Sequence, residues 1–302
     1  MSVSGTEADA MRRAITISAL GLGSTSPNPP VGCVILDRAG RPVGEGYHRR
    51  KGEPHAEVKA LTAAGARAAG GTAVVTLEPC NHHGRTPPCH QALIDASVSR
   101  VLIAVIDPTS RGEGGAARLR QAGIEVEVGV LADEALVVLG PWLQALKSGR
   151  PFVVWAYEAR ADGPRALPAE VLAHAGLRFG VDAVLRADGR IEEGRPGVHG
   201  ADSFALPDSV LTAEPADALA ELYAGGVRSL LLNGGPEFAE QFLARQLVDD
   251  LAVFLGAPAD RPVPPLPSTT GTRDVMPRAF RIRSVTRLGT GALLRAERDK
   301  VR

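Results

Sequence analysis

The 302-residue chain contains three cysteines, an odd and low count that argues against a disulfide framework and for a reducing compartment. It carries no excess charge of either sign: 34 Lys plus Arg balance 34 Asp plus Glu, for a formal net charge of zero. That balance removes the electrostatic footprint of a duplex nucleic-acid binder or a membrane-surface protein, while leaving room for a local basic pocket. No apolar run approaches the length of a membrane span. The apolar stretch from Ala14 to Leu22 follows Arg12 and Arg13 and includes Thr16 and Ser18, so no signal peptide is read there and the cytoplasm is the expected location. There is no internal repeat. Gly21-x-Gly23 and Gly112-x-Gly114 fail to complete a G-x-G-x-x-G fingerprint and read as turns.

The composition that is present, 44% hydrophobic and 23% charged, belongs to a globular chain long enough for two domains. Apolar residues at helical intervals from Met11 to Gly21 predict an amphipathic opening helix. Strands are expected over residues 31–36, 42–46, 72–77, 101–106 and 124–128, with helices from His55 to about Ala66 and over 89–96, 116–122 and 134–146. This alternation implies an α/β sandwich. Lys147-Ser148-Gly149-Arg150-Pro151 reads as a polar hinge, placing one domain at 1–147 and another at 151–302. The second half has strand candidates at 152–157, 182–185, 229–232 and 251–255, a terminal pair around 280–296, and a proline-rich loop at 262–267.

Two segments carry the chemistry. His55-Ala56-Glu57 and Pro79-Cys80, followed by Cys89, supply one imidazole and two thiolates, with a carboxylate two residues from the imidazole. Three protein ligands with a fourth position open are the mark of a catalytic zinc. H-x-E followed by P-C-x-x-C is the signature of zinc nucleobase deaminases, with the glutamate as general acid/base. Here the cysteine spacing is longer, C-x8-C. A structural zinc is the plainer alternative, weakened by the three-ligand count and the adjacent Glu57. Cys33 sits in an apolar strand and reads as a core residue, not a fourth ligand. His90 reads as a cap or surface residue, and Trp142 and Trp155 as packing residues; His83, His174 and His199 receive no role.

With these residues assembled, the first half resembles the deaminase domain of the bifunctional riboflavin-biosynthesis deaminase/reductases. The match runs through Ser26-Pro27-Asn28-Pro29-Pro30-Val31-Gly32, His48, His55-Ala56-Glu57-Val58 and the run from Thr76 to Cys89, and covers about residues 8–150. It accounts for C-x8-C as a loop of the substrate pocket. The resemblance implies a cytidine-deaminase-like three-layer α/β/α sandwich followed by a dihydrofolate-reductase-like α/β domain. It implies that His55, Cys80 and Cys89 bind Zn2+, that Glu57 shuttles protons, and that Asn28, His48, His82, Arg85 and Asp107 hold a ribosylaminopyrimidine phosphate. Arg85 stands where a lysine is typical, and Thr109 where an asparagine is typical.

The second half resembles a worn reductase domain. Ala156 replaces a lysine usual in the opening strand; Asp162-Gly163 survives from a turn in which Arg160 takes a serine position. Arg186-Ala187-Asp188-Gly189-Arg190 replaces a small-residue segment, and its bulky charged side chains ill suit a cofactor-phosphate loop. Leu232-Asn233-Gly234-Gly235-Pro236 resembles a Glu-Gly-Gly-Pro motif with its acid changed to Asn233. The expectation is a deaminase of the diaminopyrimidinone ribosyl phosphate of riboflavin biosynthesis with its reductase activity lost, NADPH being bound only if that domain is active. A homodimer through the C-terminal domain is expected by the same resemblance. The alternatives are a fully bifunctional NADPH-dependent enzyme, a deaminase of a related aminopyrimidine whose C-terminal half is a non-catalytic interaction module, and an RNA-base deaminase disfavoured by the zero net charge.

Overall fold

The computed structural model describes residues 3–81, 87–110, 112–160, 163–199, 204–207, 214–256 and 276–299. The chain divides into two compact units: Met1–Leu143 with Val198–Gly200, and Gln144–Gly197 with Ala201–Arg302. The break falls a few residues before the hinge expected at 147–151. The physical reason is a buried carboxylate: Asp249 accepts hydrogen bonds from Gln144 Nε2 (2.8 Å), both terminal nitrogens of Arg150 (2.7 and 2.8 Å) and Val153 N (2.8 Å). These bonds tie the polar segment into the second unit's core instead of leaving it loose.

The first unit opens with α1 (Gly5–Ser18), which starts six residues before the periodicity predicts. Ser4 and Glu7 form a reciprocal capping box that satisfies the first amides. There follow β1 (Gly32–Leu36), β2 (Pro42–Tyr47), α2 (Ala56–Ala64), β3 (Thr72–Leu77), α3 (Cys89–Asp95), β4 (Arg100–Val105), α4 (Gly114–Gln121), β5 (Glu125–Val128) and α5 (Ala132–Ser148). The sheet order is β2-β1-β3-β4-β5; β1 pairs antiparallel with β2 and β3, and β3, β4 and β5 run parallel. The near-continuous apolar runs of β1, β3 and β4 are those of strands buried on both faces. Helix α1 packs on β1 and β3, and α2 on β2 and β1, with α3 beside α2 and α4 beside α3. Two glycines set how closely α2 lies on the sheet. A Cβ at Gly44 would stand 2.2 Å from Ala60 O, and one at Gly46 would stand 2.7 Å from Ala56 O.

The second unit contains β6 (Phe152–Arg160), β7 (Gly163–Ala166), α6 (Ala169–His174), β8 (Ala183–Arg186), β9 (Ile191–Glu193), α7 (Pro215–Ala224), β10 (Ser229–Asn233), α8 (Pro236–Ala244), β11 (Asp250–Leu255), β12 (Phe280–Leu288) and β13 (Gly291–Arg298). Its eight-stranded sheet has the order β12-β13-β11-β6-β10-β8-β9, with β7 paired to β6. β10 runs parallel to β6 and β8, and β11 parallel to β6; the terminal hairpin adds antiparallel to β11. Alternation along β6 sends Val153, Trp155 and Tyr157 into one core and Val154 and Ala156 into the other. Ala156, at the expected lysine position, is fully buried in that second core. The proline-rich stretch 262–267 lies outside the described residues.

Candidate active site

His55 is the residue immediately before α2, with an extended backbone (φ −67°, ψ 167°) and no side-chain capping bond. Cys80 follows β3 across Glu78-Pro79, and Cys89 begins α3. His55 Nδ1 lies 3.2 Å from Cys89 Sγ and 3.7 Å from Cys80 Sγ, and Cys89 N donates to Cys80 Sγ at 3.3 Å. The three potential ligand atoms lie within 4.8 Å of one another. One imidazole nitrogen and two sulfurs converging from three elements fit the soft donor set of a tetrahedral zinc with one position left over. Among the described residues, no other group of His, Cys, Asp or Glu side chains converges in this way.

A hydrogen bond from Cys89, then one from His55, draws the Cys80 thiol well below its ordinary value. The pair keeps its shared proton on Cys89, whose thiol is pushed up chiefly by the charge-assisted bond to Cys80 and by burial. Hydrogen bonding to Cys80 raises His55. Glu57, in the first turn of α2 and 3% exposed, is pushed up to about 7 by burial, with His55 partly opposing the shift. A carboxyl near neutrality is suited to both accepting and returning a proton at physiological pH.

Of the five expected substrate contacts, three are described. Asn28 Nδ2 and His48 Nε2 lie 3.1 Å apart, so with the amide donating, the ring proton resides on Nδ1. Burial holds His48 down to about 4, and its ring packs edge-on against His55 at 5.1 Å. Asn28 and His48 are thus brought beside the sulfur-imidazole cluster. Asp107 leaves the end of β4, the neighbour of β3; its Oδ1 accepts from Thr109 N (2.8 Å) and Oγ1 (2.7 Å). Thr109, the departure from the family pattern, therefore closes the turn on Asp107. His82 and Arg85 lie outside the described residues, as does His83. Cys33 is fully buried in β1, where burial pushes its thiol up, as expected of a core residue.

Some supporting residues escaped the sequence reading. His90 Nδ1 lies 3.1 Å from Cys80 O, holding the ligand loop from behind. Trp142 packs as expected, but its Nε1 also donates to Pro27 O at 3.0 Å and anchors the segment carrying Asn28. The buried Glu78, adjacent to Pro79-Cys80, accepts bonds from the 107–116 segment. Its presence in the motif was the available signal, but the motif does not reveal partners about thirty residues away.

In the second unit, residues at which the sequence departs from the reductase-like motifs bond internally. Asn233 Oδ1 accepts from Leu167 N at 2.9 Å, while its Nδ2 donates to Leu167 O at 3.3 Å. Trp155 Nε1 donates to Gly234 O at 3.0 Å, and Phe238 packs so close to Gly234 that a Cβ there would stand 2.3 Å from its ring. Residues 186–190 form the tight turn joining β8 to antiparallel β9. Three of their five amides bond within the turn: Arg186 N to Arg190 O, Gly189 N to Arg186 O, and Arg190 N to Asp188 Oδ1. Asp162 lies outside the described residues.

Residues 5–105 match the zinc-binding region of cytidine and deoxycytidylate deaminases, and residues 183–294 match the RibD C-terminal domain. The chain is 49% identical to the riboflavin biosynthesis protein RibD of Escherichia coli K12 over 158 residues, covering 52% of this chain and 43% of that protein. Against RibD of Mycobacterium tuberculosis H37Rv it is 50% identical over 161 residues, covering 52% and 47%. The chain spans about half the length of the curated relatives it matches. Two solved structures match almost throughout. The Thermotoga maritima diaminohydroxyphosphoribosylaminopyrimidine deaminase/5-amino-6-(5-phosphoribosylamino)uracil reductase aligns with a TM-score of 0.77 at 25% identity, covering 97% of this chain and 99% of its own. Acinetobacter baumannii RibD aligns at 0.75 and 27%, covering 98% and 99%. Fold and site together define a zinc-dependent deaminase domain of the cytidine-deaminase type, followed by a reductase-type domain. The chain is thus similar to RibD riboflavin biosynthesis proteins, in sequence over its first half and in fold along almost its whole length.

Proposed function

We propose that the protein is a hydrolytic deaminase of the diaminopyrimidinone ribosyl phosphate of riboflavin biosynthesis, and that its second domain retains the fold but not the activity of a reductase. The observation that supports the first half most directly is the convergence of His55, Cys80 and Cys89 within 4.8 Å, beside a buried Glu57 whose carboxyl is pushed up to about 7. His55, Cys80 and Cys89 would hold zinc, which when bound supplies the Lewis acidity that makes water nucleophilic near neutral pH. Glu57 takes a proton from the attacking water and delivers it to the departing amine; its burial keeps that proton from bulk solvent. Asn28 and His48 orient the pyrimidine as a neutral hydrogen-bonding pair. Asp107, Arg85 and His82 serve the ribosyl phosphate end, where the Arg85 guanidinium suits a planar, bidentate grip.

The reductase reading is opposed by the internal bonds of Asn233, by the closed 186–190 turn and by Ala156 in the core. No helix among the described residues is long and apolar enough to cross a membrane, and a cytoplasmic location is proposed. A homodimer through the second domain is proposed from the family resemblance. Incubation of zinc-loaded protein with substrate and NADPH, followed by product mass spectrometry, tests the proposal. Amine exchanged for oxygen with no added hydrogen is expected; two further hydrogens would establish a bifunctional enzyme, and unaltered substrate would remove this pyrimidine as the substrate.

A further inference from the structure

Strands β3 and β4 run parallel with Leu77 opposite Val105, so residues 78–80 and 106–110 leave the sheet at the same edge. Ligands of open α/β sheets gather beyond such carboxyl ends. Glu78 stands between the two segments with 5% of its surface exposed. Its Oε2 accepts from Ser110 Oγ at 2.8 Å and Asp107 N at 3.3 Å, and its Oε1 accepts from Ala116 N at 2.9 Å. The approach is too tight for side chains: a Cβ at Gly114 (φ +79°) would stand 2.4 Å from Glu78 Oε1, and one at Gly115 would stand 1.9 Å from Pro79 O. Ser110 N bonds Asp107 O at 3.1 Å, closing the turn that Thr109 braces from within.

We infer that Glu78 is a positioning residue for substrate: its carboxylate fixes the 107–110 turn, and with it Asp107, at a set distance from the Cys80 ligand loop. The inference rests on the proposed reading of Asp107 as a contact to the ribosyl phosphate. A carboxylate is suited to the task because all three partners approach as donors, and both of its oxygens only accept. Glutamine preserves the shape but must turn an NH2 group toward one set of these donors. A purely scaffolding role for the metal loop would instead show itself in the zinc.

The test uses the full-length zinc-loaded protein, E78Q and S110A. E78Q is expected to keep its zinc content and change kcat less than about threefold while KM rises about tenfold, the pattern of lost uniform binding. S110A, which removes one of the three donors, is expected to raise KM about threefold, near the worth of a single weak hydrogen bond. Hydrogen exchange at the Asp107 and Ala116 amides should accelerate in E78Q while the β3 amides stay protected, and this readout needs no substrate. Loss of zinc, a fall in kcat at constant KM, or unchanged exchange at Asp107 and Ala116 overturns the inference. A wild-type protein that leaves this pyrimidine unaltered counts against the functional reading alone, because the exchange pattern still decides whether Glu78 holds the turn.

Discussion

Restoring an acid at position 233 should destabilise the second domain in a pH-dependent way, because the amide there performs two opposite tasks. Asn233 is 7% exposed, and it both accepts from Leu167 N and donates to Leu167 O. In N233D the ionised carboxylate still accepts, but it faces the Leu167 carbonyl with an oxygen in place of a donor. A buried acceptor left without its partner costs about 1–3 kcal/mol. At 1.36 kcal/mol per unit, a ~2 kcal/mol penalty raises the new carboxyl by about 1.5 units, from a reference of ~3.9 to ~5.4. Because the folded-state value lies above the unfolded one, the penalty is absent below about pH 4, grows as the pH rises through ~5.4, and is complete above about pH 6.5. The protonated acid carries an O–H that can donate to Leu167 O, which is the physical source of the recovery. Urea unfolding monitored by Trp155 fluorescence reads this unit directly, since the indole bonds Gly234 O next to the substitution; Trp142 is replaced by phenylalanine in both proteins. At pH 8 the variant should lose about 2 kcal/mol, or ~4–8 °C in Tm for a domain of this size. Equal stability at pH 8, or the same deficit at pH 4.5 as at pH 8, refutes the reasoning.

The active-site assignments make separate demands. E57Q should bind zinc as wild type does but lose about 10²–10⁴ in kcat, the range for a positioned general acid/base; zinc-loaded E57Q with full turnover would remove Glu57 from the mechanism. C80A should release the metal, and zinc content equal to that of wild type would overturn its place among the ligands. D249A leaves the Arg150 guanidinium, 18% exposed, without its carboxylate, and should cost about 3–5 kcal/mol in urea unfolding of the second unit. A loss below 1 kcal/mol would mean that water replaces Asp249 with little penalty.

Most of the first unit is legible in its pattern, since β1, β3 and β4 are apolar runs of strand length and the helices between them keep their period. The opening turn of α1 is not, because Glu7 is the only residue of that helix buried before Ala10 and apolar periodicity therefore says nothing there; the Ser4–Glu7 cap chemistry is the usable signal. In the second unit α7 and α8 were missed although each begins with proline, Pro215 and Pro236, a favourable first-turn residue. Pro236 also closes the Gly234-Gly235-Pro236 motif, which reads as a loop. The short strands β7 and β9 have too few residues to show a period. The metal cluster was readable because imidazole and thiolate declare their chemistry by type. Glu78 acts through two main-chain amides and a hydroxyl about thirty residues away, and His90 through a carbonyl, so no local spacing in the sequence declares their roles.

The glycines beneath α2 bear on how such a site is surveyed. At Gly44 and Gly46 the helix rests on absent atoms, so replacement by alanine, usually the act of deleting a side chain, becomes an insertion against the carbonyls of Ala60 and Ala56. An alanine scan would record its damage at two residues that offer no functional group, while the displaced imidazole of His55 and carboxylate of Glu57 flank Ala56 at the start of that helix. Maps of mutational sensitivity for this domain will therefore carry a second imprint beside the chemical one, marking where backbone meets backbone.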